Sequence, residues 1–258
     1  MKTIRLVLRS FFFIGYTFLI VAEIWARNTF QSPDIRRSMH IRKRWARRLL
    51  NGLGLDIQVQ GIIPDIPCLL VANHRSYLDP ILMLQHVDAF PVAKAELASW
   101  PLIGKGAKMA GILYLRRESA GSRTGILRQM ALKLTEGFSV IVFPEGTTSS
   151  IPNTLPFKRG AFKLAAQENF PILPVAIHYA DSRDFWIGES TFLAHTRLRF
   201  GEKKIHVTLH YGPEMRSKEA SELLEKSQNW IDETLQFHQN SQESTTFATE
   251  SFQKQPMD

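Results

Sequence analysis

Cysteine is nearly absent from this chain of 258 residues, which contains only Cys68. A single cysteine cannot form an intrachain disulfide, so nothing in the sequence requires an oxidising compartment. A reducing site that faces the cytosol is therefore favoured. Cys68 itself lies in an apolar run, which predicts an inert thiol in the core.

Acidic residues are scarce relative to basic ones, with 24 Asp and Glu against 32 Lys and Arg and a formal net charge of +8. Such an excess favours an anionic partner, and nucleic acid, phospholipid headgroups or a phosphorylated substrate would all satisfy it. The composition, 44% hydrophobic and 22% charged, is that of a globular protein. It excludes wholesale disorder and a membrane protein with many spans.

Long apolar runs are also lacking. The uncharged stretch near the N-terminus, residues 10–22 (SFFFIGYTFLIVA), is shorter than the ~20 residues of a membrane-spanning helix, unless Glu23 is tolerated near one end. A helix that lies on the membrane surface or enters it obliquely fits equally well. A basic start is also typical of a cleaved signal peptide, but Ala22 and Ala26 offer mediocre cleavage sites.

Residues 36–48 carry seven Arg or Lys residues interleaved with apolar ones. Ile41, Trp45 and Leu49 recur every four residues, which predicts an amphipathic helix with a basic face, ended by Gly52 and Gly54. A charge run of this kind is often only a solvated face. Because this one follows an apolar segment and includes a tryptophan, we favour an interfacial helix on an anionic membrane surface. Nucleic acid is not expected, since the basic residues do not lie on an aromatic-studded sheet.

Short apolar strands alternate with helices after residue 55, and no internal repeat is visible. The predicted strands are 57–59, 68–72, 112–115, 139–143, 172–177 and 207–211. The predicted helices are 126–134, 160–166 and 220–235, with Ser217 as the N-cap of the last. This alternation predicts an α/β fold with a mixed, mostly parallel sheet flanked by helices. The chain then divides into membrane-associating helices over 1–53, one α/β domain over 54–238 and a disordered polar tail over 239–258.

The motifs of several common enzyme classes are missing. Ser76 and Ser149 are candidate nucleophiles, but neither lies in a GxSxG elbow, so a serine hydrolase is not indicated. The eight histidines show no HExxH spacing, and one cysteine cannot form a CxxC pair. We therefore assign no metal site.

Residues 73–80 (NHRSYLDP) follow directly on a predicted buried strand. His74 therefore lies at the C-terminal end of a strand, where open α/β sheets bind their ligands. Asp79 followed by Pro80 has the form of a helix N-cap and first residue, so one interpretation makes Asp79 a cap and His74 an ordinary loop residue. In the other, the turn brings the Asp79 carboxylate to Nδ1 of His74 and leaves Nε2 to take a proton from an alcohol.

A second polar segment, residues 142–149 (VFPEGTTS), follows another apolar strand. Pro144 and Gly146 account for a turn, but a turn gives Glu145 no role. Together the two segments resemble the NHxxxxD and FPEG(T/S) blocks of the glycerolipid acyltransferase family, which includes 1-acylglycerol-3-phosphate acyltransferase. Further segments resemble other blocks of that family in the same order, with 94–97 and 111–117 between the two segments and 156–161 and 171–175 after them.

The resemblance implies a role for each residue that matches a block. His74 would be the general base, and Asp79 would orient it. Binding of the polyol phosphate or its hydroxyls would fall to Arg117, Glu145, Gly146 and Thr147, with Arg116 and Lys94 as further candidates.

The basic pair in this set has its own physical argument. A phosphate favours arginine, because the planar guanidinium binds two oxygens at once. Judged without the family, the favoured interpretation makes Arg116 and Arg117 a surface pair at a strand end. Tyr114 stands where the family more often has Phe, and Arg116 stands where it often has an acidic residue. The polar head of the acceptor therefore stays open.

The reaction that the resemblance implies is transfer of a fatty acyl group to the sn-2 hydroxyl of 1-acylglycerol 3-phosphate, which gives phosphatidate without an acyl-enzyme. Acyl-CoA or acyl-carrier protein would be the co-substrate, and no cofactor is expected. Another lysolipid, such as a lyso-aminolipid, is an alternative acceptor. A catalytically silent lipid-binding module is the alternative of another class. The site would be membrane-associated and face the cytoplasm, at the inner membrane if the source is bacterial.

Overall fold

Two long helices begin the chain in the computed structural model, which describes residues 1–99, 111–116, 120–188 and 191–253, with side chains for all of these except 120 and 242–253. Helix α1 covers Lys2–Phe30 and helix α2 covers Ile35–Leu53. The side chain of Asp34 accepts backbone N–H groups at the start of α2, and Gly54 ends the helix in the left-handed conformation.

Helix α1 is longer than the uncharged run predicted. It is long and apolar enough to cross a membrane, by length and composition, which indicates membrane association. The helix continues through Glu23, whose carboxylate pairs with Arg27 in α1 and Arg44 in α2. Its outer face exposes large apolar side chains, among them Leu8, Phe11, Phe18, Leu19 and Trp25.

The apolar face of α2 packs inside the protein. Ala46, Leu49 and Leu50 belong to the buried core on one face of the sheet, and Ile41 packs against Ile20 and Ile24 of α1. The predicted amphipathic helix is therefore present, but this apolar face is not available to enter lipid, as an interfacial helix requires. Exposed basic residues of α2, Arg36, Arg47 and Arg48, are what it offers to a membrane surface.

One seven-stranded sheet lies within the described residues. Its strands are β1 Leu55–Gln60, β2 Leu69–Ala72, β3 Ala89–Lys94, β4 Leu113–Leu115, β5 Ser139–Val142, β6 Ile172–Tyr179 and β7 Ile205–Tyr211. Their spatial order is β1-β7-β6-β2-β5-β3-β4. Only the β6–β7 pair is antiparallel among these neighbours, so the predicted mixed, mostly parallel sheet is confirmed.

The parallel part of the sheet gathers the segments of interest at one edge. Strands β6, β2, β5, β3 and β4 are neighbours and run in the same direction. Their C-terminal ends therefore meet at one edge, which is where α/β sheets bind ligands. The segments at 73–79 and 143–147 follow β2 and β5 at this edge.

Strand β3 and the end of β6 differ from the sequence prediction. β3 was not predicted, because its short sequence contains Pro91, which cannot donate to a ladder. It forms nevertheless between β5 and β4, with Pro91 opposite Ile141. Strand β6 continues past the predicted end at Ile177 to Tyr179, where it pairs with β7.

Helices cover both faces of the sheet. They are α3 Asp79–Leu84, α4 Ala120–Thr135, α5 Gly160–Glu168, α6 Phe192–Arg199 and α7 Ala220–Gln253. Helices α2 and α3 pack on one face, and α4, α5 and α7 pack on the other. The backbone of 239–253 is helical within α7, which differs from the predicted disordered tail. The division into domains at 53/54 stays a prediction.

Candidate active site

His74 and Asp79 are joined across the turn between β2 and α3. His74 follows β2 by two residues, and Asp79 is the first residue of α3. Nδ1 of His74 lies 2.8 Å from Oδ2 of Asp79. The N-cap position belongs to Leu78, and no side chain caps the helix. The Asp79 carboxylate therefore turns back toward the loop and does not act as a helix cap.

The Asp79 carboxylate is fully buried (0% exposed) and accepts four hydrogen bonds. Oδ2 accepts the backbone N–H of Arg75 at 2.6 Å and that of Ser76 at 2.8 Å, besides the ring of His74. Oδ1 accepts the hydroxyl of Tyr179 at 2.7 Å. Four donors match an ionised carboxylate, which can only accept. Nδ1 of His74 therefore carries the proton.

The imidazole ring of His74 is stacked on an aromatic side chain and stays partly exposed to solvent. Its ring stacks on Phe143 at a centroid distance of 4.2 Å and an interplanar angle of 23°. The side chain keeps 22% of its surface exposed. No hydrogen bond between described residues uses Nε2, so this nitrogen keeps a lone pair that can take a proton from a hydroxyl group.

Glu145 links the two polar segments. One carboxylate oxygen accepts the backbone N–H of His74 at 2.7 Å, and the other accepts the N–H of Leu155 at 2.8 Å. The residue is buried, at 4% exposed. Burial raises the pKa of Glu145, and the two backbone N–H groups and Arg75 oppose that rise. The Glu145 carboxylate therefore has a structural role, which the formation of a turn by Pro144 and Gly146 did not explain.

Gly146 and Thr147 complete the turn after β5. Gly146 has φ 77° and donates its N–H to the carbonyl of Phe143 at 3.0 Å. This left-handed conformation favours glycine, and any side chain there would also collide with the ammonium group of Lys158. Gly146 is buried and Thr147 is exposed. Lys158 therefore lies over the turn, a proximity that its place in a family block did not reveal.

Lys94 and Arg116 lie at the same edge of the sheet, where the neighbouring strands β3 and β4 end. Lys94 ends β3 and is paired with Leu115, the residue before Arg116. Both basic side chains are exposed. Neither forms a hydrogen bond or ion pair with His74 or Asp79 in the part of the chain that the structure describes. Arg117 lies outside the described residues.

Two residues near the pair were not singled out by sequence. The buried guanidinium of Arg75 donates to the carbonyls of Ser149, Pro152 and Asn153 at 3.0 to 3.1 Å. Tyr179 reaches Asp79 from β6. Arg75 lies inside the first segment, but its partners follow the second. No sequence signal points from Tyr179 to a residue a hundred positions earlier.

No group of three or more His, Cys, Asp or Glu side chains could hold a metal ion within the described ranges. The expectation of a site without metal stays a prediction. The site therefore consists of an imidazole with a free nitrogen, oriented by a buried carboxylate at the open edge of a mostly parallel α/β sheet. Proteins with such a fold and site form a class suited to activating a hydroxyl group.

Comparisons with known proteins agree with that class. A family model described as Acyltransferase matches residues 56–178. The lyso-ornithine lipid O-acyltransferase of Pseudomonas aeruginosa is 32% identical over 220 residues, which cover 81% of this chain and 85% of that protein. The chain therefore belongs to the acyltransferase family.

Other relatives match over the core of the chain. The mouse 1-acyl-sn-glycerol-3-phosphate acyltransferase alpha is 35% identical over 139 residues, which cover 52% of this chain and 48% of that protein. The 1-acyl-sn-glycerol-3-phosphate acyltransferase of Neisseria meningitidis is 35% identical over 137 residues, or 52% and 54%. The chain thus spans about half the length of these two relatives.

The fold itself has a solved counterpart. The crystal structure of the 1-acyl-sn-glycerophosphate acyltransferase from Thermotoga maritima superposes with a TM-score of 0.71. The match covers 93% of this chain and 98% of that one at 23% identity. At this identity the likeness shows a shared fold.

Proposed function

We propose that the protein transfers a fatty acyl group from an acyl thioester to a hydroxyl group of a lysolipid, with His74 as general base and Asp79 as its orienting partner. The observation that carries this proposal is the 2.8 Å contact between Nδ1 of His74 and the buried Asp79 carboxylate. It leaves Nε2 as the basic nitrogen at the open edge of the sheet.

The proposed reaction is a direct attack in a ternary complex. Nε2 of His74 takes the proton of the acceptor hydroxyl while the hydroxyl oxygen bonds to the thioester carbonyl carbon. The tetrahedral intermediate then collapses, the C–S bond breaks, and the departing thiolate takes the proton from the imidazolium. Asp79 stabilises the imidazolium between these steps. General base catalysis of this kind contributes about 10² to 10⁴-fold, and the positioning of two substrates adds to it.

Substrate binding is proposed for Lys94 and Arg116 at the same edge, and for Arg117, which follows Arg116 in the sequence. These three residues would bind the anionic head of the acceptor, with Gly146 and Thr147 at its polar groups. Glu145 would act there chiefly by holding the turn, because both of its carboxylate oxygens accept main-chain N–H groups.

Two acceptors fit the proposal. The first is 1-acylglycerol 3-phosphate, acylated at its sn-2 hydroxyl to give phosphatidate, because a phosphate suits exposed Lys94 and Arg116 at one edge. The second is a lyso-aminolipid of the lyso-ornithine type. It is favoured by the relative of that name, whose similarity extends over most of both chains. Either acceptor would reach the site from a membrane.

The membrane side of the proposal rests on the two N-terminal helices. The exposed apolar face of α1 would sit in lipid, and exposed Arg36, Arg47 and Arg48 of α2 would meet anionic headgroups. Acyl-CoA or acyl-carrier protein would then deliver the acyl group from the cytoplasmic side.

The test is an acceptor panel with the full-length protein in mixed micelles. Lysophosphatidate and lyso-ornithine lipid are each offered with acyl-CoA and with acyl-carrier protein, and the acylated lipid is quantified. Turnover of one acceptor selects between the two candidates.

His74→Ala should lower turnover by about 10² to 10⁴-fold. The matched control is His206→Ala, which removes a largely exposed histidine of β7. Absence of turnover with every pair would favour a silent lipid-binding module, and normal turnover of His74→Ala would reject the His74–Asp79 mechanism.

A further inference from the structure

Tyr179 binds the oxygen of the Asp79 carboxylate that the imidazole of His74 does not use. It is the last residue of β6, the strand beside β2. Its side chain is buried, and its hydroxyl donates to Oδ1 of Asp79 at 2.7 Å. Nδ1 of His74 occupies the other oxygen, Oδ2. Tyrosine and histidine therefore share one carboxylate through different oxygens.

The tyrosine hydroxyl is a permanent donor in this position. Burial raises the pKa of Tyr179 well above its ordinary value, and the negative charge of Asp79 and their hydrogen bond add to that rise. The phenol therefore stays protonated and donates to the acceptor-only carboxylate. Hydrogen bonds to an ionised group are the strong ones, and they stabilise its charged form.

The contact also satisfies a buried charge. Asp79 has no exposed surface, and in the part of the chain that the structure describes Oδ1 has no other hydrogen-bond donor. Both donors to Oδ2 other than His74 are backbone N–H groups of the turn. Among the described residues, Tyr179 is therefore the side chain besides His74 that can fix the rotation of the Asp79 carboxylate about the Cβ–Cγ bond.

We propose that Tyr179 is a positioning residue of the His74–Asp79 pair. It holds the carboxylate so that Oδ2 faces Nδ1 of the imidazole, and it withdraws negative charge from the carboxylate, which limits the proton affinity of His74. The inference rests on the proposed function in that His74 is taken as the base that must be neutral before reaction. Tyr179 does not touch the substrates; it acts through Asp79.

The test compares two tyrosine variants that each remove one buried hydroxyl. Tyr179→Phe deletes the donor to Asp79 and keeps the ring. Tyr211→Phe is the matched control, because Tyr211 lies in the neighbouring strand β7, is buried in the same core cluster, and has a hydroxyl without a hydrogen-bond partner among the described residues. Both variants keep the packing of the core.

The first readout does not depend on activity. The full-length protein is labelled with ring-¹⁵N histidine in detergent micelles, and the His74 signal is identified by its loss in His74→Ala. The His74 titration should move to higher pH in Tyr179→Phe than in wild type, because a carboxylate that has lost a donor stabilises the imidazolium more strongly. It should stay at the wild-type value in Tyr211→Phe. A wild-type titration in Tyr179→Phe, or equal shifts in both variants, overturns the proposal.

The second readout is the pH profile of turnover. In Tyr179→Phe the acid limb of the kcat–pH profile should move to higher pH, because a more basic His74 is protonated over a wider range, and kcat on that limb should fall by up to about tenfold, the factor that corresponds to one lost hydrogen bond. KM for both substrates should stay near wild type. An unchanged kcat profile overturns the positioning role and leaves the proposed function standing. Conversely, a shifted titration in a protein that transfers no acyl group supports the positioning role and rejects the proposed function.

Discussion

The carboxylate of Glu145 accepts the backbone N–H of His74 at 2.7 Å, so the loop after β5 holds the main chain of the loop after β2. Its second oxygen accepts the N–H of Leu155 at 2.8 Å. One buried acid therefore joins Leu155, ten positions later in the chain, to His74, 71 positions earlier. The position of His74 depends on this link as well as on Asp79.

Replacing Glu145 with Gln should weaken this link. The amide offers one oxygen where two backbone N–H groups need acceptors, and its NH₂ faces a donor. We expect a loss of about 1 to 3 kcal/mol in the free energy of unfolding, measured by denaturant titration, and a lower kcat because the His74 backbone is released. The matched control is Glu136→Gln, which removes a half-exposed surface ion pair with Lys133 and should cost less than about 1 kcal/mol. Equal costs for the two variants would contradict the prediction.

Replacing Arg75 with Lys should loosen the loop after β5. The buried guanidinium donates to the carbonyls of Ser149, Pro152 and Asn153, and an ammonium on a flexible stem cannot reproduce that planar fork. We expect a loss of about 1 to 3 kcal/mol in unfolding free energy, with faster hydrogen exchange of the 149–153 backbone. Arg183→Lys, at an exposed arginine, serves as control and should leave both measurements near wild type. Unchanged hydrogen exchange of residues 149–153 in Arg75→Lys would contradict the prediction that Arg75 holds this loop.

His178 should make the folded protein sensitive to mild acid. Burial, followed by the charges of His238 and Arg75, lowers the pKa of His178 from 6.5 to about 4. Between these values the unfolded chain binds a proton at this residue and the folded chain does not, so stability falls as pH falls through this window. His178→Phe should lose less unfolding free energy than wild type between about pH 7 and pH 4. His40→Asn, at an exposed histidine of α2, should keep the wild-type slope, and a wild-type slope in His178→Phe would refute the assignment.

The exposed face of α1 should govern binding to vesicles. Phe11 and Phe18 are 74% and 55% exposed, and burial of a phenylalanine side chain in an apolar phase contributes about 1.5 to 3 kcal/mol. The double variant Phe11→Ser/Phe18→Ser should therefore bind vesicles at least about tenfold more weakly in a sedimentation assay. Ile62→Ser removes an apolar side chain that is 84% exposed in the loop after β1, and it should bind like wild type. Similar weakening in both variants would indicate that α1 has no special part.

Local patterns predicted much of the fold. Six of the strands and the helices at 126–134, 160–166 and 220–235 follow from apolar periodicity, because an element that buries one face must repeat its apolar residues at a fixed spacing. Strand β3 escaped this test, since Pro91 interrupts its pattern and the strand gains its ladder from β5 and β4. The apolar face of α2 was predicted, but its partner was not. An amphipathic pattern predicts that one face of a helix is buried, but it does not distinguish burial against protein from burial in lipid.

The candidate site divides in the same way. Its local part, His74 and Asp79, is visible in sequence because a separation of five positions lets one side chain reach the other, and Glu145 was singled out by a second short segment. Three further hydrogen bonds join different strands and loops: from the His74 backbone to Glu145, from Arg75 to the carbonyl of Ser149, and from Tyr179 to Asp79. Such contacts depend on strand order and register, which bring distant residues together.

The chemistry and spacing of neighbouring residues are enough to predict the α/β class, the two polar segments at strand ends and the basic, apolar character of the first 53 residues. They do not predict that β6 lies beside β2, so that Tyr179 meets Asp79, or that the apolar face of α2 packs against the core. The reason is that the register of a sheet and the partner of a helix face are chosen by the packing of the whole chain, which no short segment contains.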